Sequence, residues 1–216
     1  MACIHELAGE RVELRAEKAL FWPRARTLFV ADFHLGKAAA FRSAGIALPS
    51  GTTSENVERL SRAIAATGAE RIVFLGDFLH ARAARQPATE ARFAKWRAAH
   101  ASLDLVLVRG NHDENAGDPP DAWRIRCVGE GEPFGPFVGA HHPGALVGGY
   151  ALAGHLHPAV RLSGAGGESL RLPCFWFGRE AGVLPAFGAF TGSALIRPRR
   201  GDPVFVIADG AVMRVA

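Results

Sequence analysis

Ile72-Val73-Phe74-Leu75-Gly76-Asp77-Phe78-Leu79-His80 is the stretch on which the fold turns. Consecutive apolar residues stopped by a glycine describe a short strand buried on both faces, the pattern of a central parallel strand. The glycine lets the backbone turn. Asp77 is then left projecting from the strand's carboxyl end, the edge at which open α/β sheets hold their ligands. The same arrangement recurs on either side. Leu28-Phe29-Val30 runs into Asp32-Phe33-His34, and Leu105-Val106-Leu107-Val108 into Gly110-Asn111-His112-Asp113. Further on, Phe137-Val138 leads to His141-His142, and Tyr150-Ala151-Leu152-Ala153 to Gly154-His155-Leu156-His157. Each polar cluster ends a strand.

Helical patterns separate the first three clusters. Thr52 with Glu55 three residues on forms a capping box, Val57, Leu60 and Ile64 share one helical face, and Gly68 is a stop signal. A second helix over residues 89–101 buries Phe93 and Trp96. Strand, helix, strand, helix, strand predicts a parallel α/β arrangement. Residues 6–20 alternate loosely and read as an edge strand. From Arg124 onward helix signals give way to short apolar stretches among Gly and Pro, which predicts a second sheet with antiparallel strands over 170–177, 194–196, 204–207 and 212–215. No repeat or linker divides the chain, so residues 1–216 read as a single domain.

With 216 residues, 49% of them hydrophobic and 21% charged, the chain has the balance of an ordinary globular protein. No apolar run approaches the roughly 18 residues of a membrane span, and the first residues lack a secretory pattern, so a cytoplasmic location is expected. The 3 cysteines are scattered outside any C-x-x-C pair and read as structural thiols. The formal charge of +4 mildly favours a polyanionic partner or a phosphate substrate. The four tryptophans, Trp22, Trp96, Trp123 and Trp176, read as packing residues.

Two divalent metals about 3.5–4 Å apart need a bridging carboxylate and a mixture of imidazole and oxygen ligands. The strand-end clusters supply them. Asp32, His34, Asp77 and His157 are expected to hold one ion, and Asp77, Asn111, His141 and His155 the other. Two carboxylates and a bridging hydroxide leave such a pair about one net positive charge, enough to polarise a phosphoryl oxygen, whereas a third aspartate in place of Asn111 would remove it. Of the adjacent His141 and His142, His141 directly follows its strand and is the expected ligand. Attack of metal-bound hydroxide on phosphorus requires a proton for the leaving alkoxide; His112 is the expected donor, with Asp113 orienting its ring. His80 is expected near the metals or the substrate, and Arg42, Arg82, Arg85 and Arg109 are candidates for gripping neighbouring phosphates. There is no G-x-S-x-G, and Ser193 has no partner base, so a serine nucleophile is not indicated.

Asp-x-His, Gly-Asp-x-x-His, Gly-Asn-His-Asp, a lone histidine after a strand, and Gly-His-x-His, in this order over residues 28–157, resemble the calcineurin-like metallophosphoesterase superfamily. The resemblance implies a four-layer αββα sandwich of two mixed β-sheets flanked by helices, and a pair of divalent ions, most often manganese, with Fe, Zn and Co also compatible. His34-Leu35-Gly36-Lys37, Gly76-Asp77-Phe78-Leu79-His80-Ala81-Arg82, Gly154-His155-Leu156-His157-Pro158, Leu172-Pro173-Cys174-Phe175-Trp176 and residues 184–192 further resemble the bacterial ligase-associated DNA-damage-response endonuclease (PdeM) family. That family implies a DNA phosphodiester substrate and association with a ligase, a helicase and an exonuclease. Hydrolysis of small nucleotides or other phosphate esters is a competing reading. So is an interaction scaffold that has lost its chemistry, which missing ligands would mark; none is missing.

Overall fold

The computed structural model describes residues 2–43, 45, 52–81, 85–164, 167–189 and 191–216. Cys3–Leu7 (β1), Glu10–Arg15 (β2) and Ala19–Trp22 (β3) meander antiparallel onto Thr27–Ala31 (β4). Arg71–Leu75 (β5), Asp104–Val108 (β6) and Ile125–Val128 (β7) then add in parallel, completing a 7-stranded mixed sheet in sequence order. Lys37–Ser43 (α1), Thr52–Thr67 (α2), Pro87–Ala99 (α3) and the short Asn111–Ala116 (α4) lie in its connections.

The second sheet has 9 strands. Glu132–Phe134 (β8), Phe137–Gly139 (β9), Tyr150–Ala153 (β10), Pro158–Ser163 (β11), Ser169–Phe177 (β12), Ala181–Val183 (β13) and Ala194–Leu195 (β14) run in the order β14-β11-β12-β13-β10-β9-β8, while Val204–Ala208 (β15) pairs with β12 and carries Ala211–Arg214 (β16). β10 is parallel to both β9 and β13, so this sheet too is mixed.

Alternation along the central strands builds both cores. Leu28, Val30, Ile72, Phe74, Leu105 and Leu107 pack outward against Leu60 and Phe93 of the helices. The intervening Phe29, Ala31, Val73, Leu75, Val106 and Val108 face Phe137, Leu152, Phe175 and Phe205 of the second sheet. With both faces buried, these strands are fixed in register. A one-residue slip would exchange the two cores and misplace every strand-end cluster.

The structure corrects several expectations. Residues 6–20 are not one edge strand but parts of three, because Ala8 and Gly9 adopt φ of 51° and 78° and close a hairpin. Residues 125–128 extend the first sheet, not the second, through parallel pairing with β6. Among the described residues no helix follows Trp123, so helices cover the first sheet alone; short hairpin turns among the later antiparallel strands need no helical crossover. Gly68 does end α2, at φ 64° with its N–H bonded to Ile64 O, whereas the Thr52 side chain of the expected capping box lies outside the described residues. No helix among the described residues is long and apolar enough to cross a membrane.

Candidate metal centre

The carboxyl ends of β4, β5, β6, β9 and β10 meet at one edge of the sandwich, and the loops leaving them are stitched together. His34 N–H donates to Asp77 O at 2.9 Å, and Leu35 N–H to Phe78 O at 2.7 Å. Asp32 accepts the His155 N–H on both oxygens (3.1 and 3.0 Å), and Asp77 Oδ1 accepts the His112 N–H at 3.0 Å. Beneath them, the Phe33 ring stacks between Phe78 and Phe187 at 5.4 and 5.5 Å.

These ties hold a strained backbone. Asp32, His34, Asp77, His155 and His157 have φ between 48° and 68°, left-handed values that cost non-glycine residues roughly 1–2 kcal/mol each. Glycines wall the cluster for a second reason: there is no room for a Cβ. At Gly76 it would collide with the His141 ring, at Gly110 it would lie 2.5 Å from Asp77 Oδ1, and at Gly154 it would lie 2.6 Å from Asp32 Oδ2.

All seven expected ligand residues converge here. Ligand atoms of Asp32, His34 and His157 lie within 4.8 Å of one another, as do those of Asp32, Asp77 and His141. His141 Nε2 is 3.0 Å from Asn111 Oδ1, 3.0 Å from His155 Nδ1 and 3.3 Å from Asp77 Oδ1. Backbone carbonyls fix the imidazole tautomers. Because a carbonyl only accepts, His141 Nδ1–H donates to Leu75 O (3.3 Å) and His157 Nδ1–H to Gly192 O (3.0 Å). Both Nε2 lone pairs are thereby directed at the carboxylates. Lone pairs and carboxylate oxygens converging without protons between them fit a cation, not a hydrogen-bond network.

His34 makes the point most directly. It is buried, and neither ring nitrogen has a hydrogen-bond partner, a costly arrangement that a metal would relieve. Burial, reinforced by Lys37 and the neighbouring imidazoles, pushes its pKa far below the usual histidine range, so its 3.9 Å approach to Asp77 is no ion pair and the ring stays neutral, as a ligand must be. Burial likewise lowers the His155 pKa, with His141 and His142 adding to it. For His157 burial works downward, but the Asp32 carboxylate outweighs it and raises the pKa, so a proton on Nε2 competes with a cation for the place between His157 and Asp32.

His141 is fully buried, while His142 is 52% exposed and turns its Nδ1 to Glu130 Oε1 at 2.9 Å. His142 still lies within reach of His141 and His155, as part of a third close group. Glu130 also accepts the N–H groups of both His141 and His142, which fixes the loop.

His112 sits at the rim with its side chain 39% exposed. Its Nδ1–H donates to His80 O at 2.7 Å, leaving Nε2 facing Asp77 Oδ2 at 3.8 Å. The expected orienting role of Asp113 is therefore corrected. Asp113 is buried and accepts N–H bonds from Phe78 (3.2 Å), Leu79 (2.8 Å) and Gly110 (3.0 Å), so it braces two ligand loops and does not touch the His112 ring. Burial pushes its carboxyl pKa up against the pull of those three bonds.

The His80 ring stacks on that of His112 at 5.1 Å, and burial, with Lys37 and His112 adding, lowers its pKa to about 4. Arg85 is not a free phosphate clamp: it pairs with Glu90 at 2.9 Å and donates to Asp118 O. Arg109 is likewise held in a two-pronged pair with Asp118, both contacts at 2.7 Å. Arg82 and the Arg42 side chain lie outside the described residues. Lys37 emerges instead. Burial lowers its pKa against the opposing pull of Asp32 and Asp77, and its Nζ lies 6.0 Å from the centre of the Phe41 ring. In the sequence its one mark was its place in His34-Leu35-Gly36-Lys37, which assigned it no role.

Residues 25–174 match the calcineurin-like phosphoesterase family, and the chain belongs to it. The fold and the family make it a hydrolase of phosphate esters in a class that works with divalent metals. Over 100% of both chains it is similar to the crystal structure of nuclease MPE from Pseudomonas putida, with 41% identity and a TM-score of 0.87. A more distant likeness is Yfce, a phosphoesterase from E. coli: 14% identity over 88% of this chain and 98% of that one, TM-score 0.43. No curated protein matches the chain.

Proposed function

We propose that the protein is a metal-dependent nuclease that hydrolyses DNA phosphodiester bonds at a binuclear centre. The reading is carried by the convergence of proton-free ligand atoms from five loops, in a chain 41% identical end to end to a nuclease. Asp32, His34, Asp77 and His157 would hold one ion and Asp77, Asn111, His141 and His155 the other. Manganese is the first candidate, and Fe, Zn and Co suit the same mixed donors. A divalent pair supplies Lewis acidity toward the phosphoryl group and activates the attacking water.

The remaining work falls to the chain's own side chains. His112, its Nδ1–H held by the His80 carbonyl, would give a proton from Nε2 to the departing oxygen as the imidazolium, having taken that second proton from solvent beforehand. Lys37, which feels the charges of Asp32 and Asp77, would offset negative charge gained by the phosphate's nonbridging oxygens. Asp113 holds the Asp77 and Asn111 loops at fixed spacing. The resemblance to ligase-associated endonucleases extends this reading to a role in DNA repair beside a ligase, a helicase and an exonuclease.

The test is cleavage of circular single-stranded and duplex DNA by chelator-treated protein resupplied with manganese, with Asp77→Asn in parallel. Manganese-dependent cutting that disappears in the variant is the expected result. Cutting that persists equally in chelator or in Asp77→Asn would overturn the proposal.

A further inference from the structure

A cavity of about 370 Å³ opens next to the metal centre without containing any of its ligands. That volume lies within the roughly 300–1,000 Å³ span of small-molecule sites. Two of its walls belong to the ligand loops: Leu156 sits between His155 and His157, and Pro143 follows His142. The floor includes Trp176 of β12, which is only partly buried although the other three tryptophans are in the cores. Trp176 Nε1–H donates to Asp202 Oδ2 at 2.9 Å, and the same oxygen accepts the Arg199 N–H at 2.9 Å. Asp202 is thus committed to holding the ring and the 199–202 turn together.

Arg179, Arg197 and Arg199 line the same cavity. All three are exposed and, among the described residues, none has an ion-pair partner, in contrast to Arg85 and Arg109. Glu180 is the one opposing charge besides the committed Asp202, so the cavity's balance is positive. An aromatic floor fenced by unpaired guanidiniums, one residue away from two ligand loops, has the chemistry of a nucleotide seat: a face for a base and cations for the flanking phosphates.

We propose that this cavity seats a nucleotide of the substrate strand adjacent to the scissile phosphate, with Trp176 stacking on its base and Arg197 and Arg199 contacting backbone phosphates. The proposal rests on the nuclease reading and assigns it a strand path. Because a stacked base must leave its own helix, the seat favours an unpaired strand over an intact duplex.

The experiment compares manganese-loaded wild type, Trp176→Ala, Trp176→Phe and the Arg197→Ala/Arg199→Ala double variant on a labelled single-stranded oligonucleotide and on bis-p-nitrophenyl phosphate. Arg92→Ala/Lys95→Ala on α3 removes the same charge elsewhere as a control. Trp176→Ala is expected to raise the oligonucleotide KM by roughly 5–150-fold, and Trp176→Phe to recover most of the loss because it keeps an aromatic face. The double arginine variant should lower the slope of log(kcat/KM) against log[salt] by about 1.4, two single-strand phosphate contacts' worth. The small ester, which cannot span from the metals to the cavity, should be turned over within about twofold of wild type throughout.

An arginine double variant with wild-type oligonucleotide KM and salt slope overturns the seat while leaving the nuclease reading intact. A Trp176→Phe variant as impaired as Trp176→Ala overturns the stacking role in favour of the Asp202 bond. Wild type that hydrolyses the small ester but leaves every nucleic acid uncut removes both the nuclease reading and the seat.

Discussion

Asp113→Asn separates bracing from proton-transfer tuning. In the native protein one carboxylate satisfies three buried N–H groups, with Oδ1 serving Leu79 and Oδ2 serving Phe78 and Gly110. An amide keeps one acceptor oxygen and turns an NH₂ toward at least one of those donors. One or two bonds are lost, and a buried donor left without a partner costs about 1–3 kcal/mol, giving a total of about 1–6 kcal/mol. For a chain of 216 residues the middle of that range corresponds to a Tm lower by roughly 5–15 °C. The melt should be recorded after exhaustive chelation, since metal binding adds its own stabilisation to whichever protein binds it better. In the metal-loaded enzyme, the ratio of turnover on an alkyl ester to that on a p-nitrophenyl ester should stay at the wild-type value, because the His80 carbonyl, not Asp113, holds the His112 ring. A wild-type Tm together with a loss confined to the alkyl ester would refute the bracing argument and restore Asp113 as a partner of the histidine.

Other perturbations test other parts of the structure. Gly110→Ala places a Cβ 2.5 Å from Asp77 Oδ1 and 2.6 Å from Asp77 N, so the Asp77 carboxylate must move; elemental analysis should find reduced metal occupancy, and kcat/KM should fall by about 100-fold. His112→Gln should slow hydrolysis of an alkyl leaving group by about 10²–10⁴-fold yet leave p-nitrophenolate release much less affected, because that group departs without a proton. An equal loss on both would show that His112 acts by some route other than proton donation. Burial pushes the Cys127 thiol up to about 11 and the Cys174 thiol up to about 12. Iodoacetamide at pH 8 should therefore modify either more than about 100-fold more slowly than an unhindered cysteine, and mass-resolved labelling at Cys127 at the free-thiol rate would contradict the burial argument.

The central strands and the polar residues ending them were legible because both carry a local signal: an apolar run long enough to be buried on two faces, then a glycine or an unpaired polar group. The seven ligand candidates followed from that signal alone. What spacing does not encode is which atom a carboxylate faces. Asp113 stands next to His112 in sequence, but α4 turns it inward to the backbone of the 77–80 loop, so adjacency misled. Arg85 was a reasonable phosphate ligand until Glu90, five residues on, claimed it. Ile125–Val128 alternates apolar and charged residues as a partly covered edge strand does, and only its pairing with β6 reveals which sheet it extends. Trp176 resembles the packing tryptophans in its neighbours, and its position at a cavity floor follows from the cross-strand geometry of β12 with β13 and β15.

The aromatic column under the ligand loops sets an order of events. Phe33 comes early in the chain and Phe187 late, and Arg59 fastens the later segment by donating to Phe187 O at 2.6 Å while Asn56 accepts the Ala189 N–H. The left-handed Asp32 and His34 therefore lack their support until more than 150 residues of chain have been made and the second sheet has docked. A ribosome-bound fragment ending at Pro158 would carry all seven candidate ligand residues and still lack the prop beneath the first two. If these residues hold metal as proposed, competence to capture it arrives late in synthesis, and the nascent enzyme stays inactive until its fold is complete.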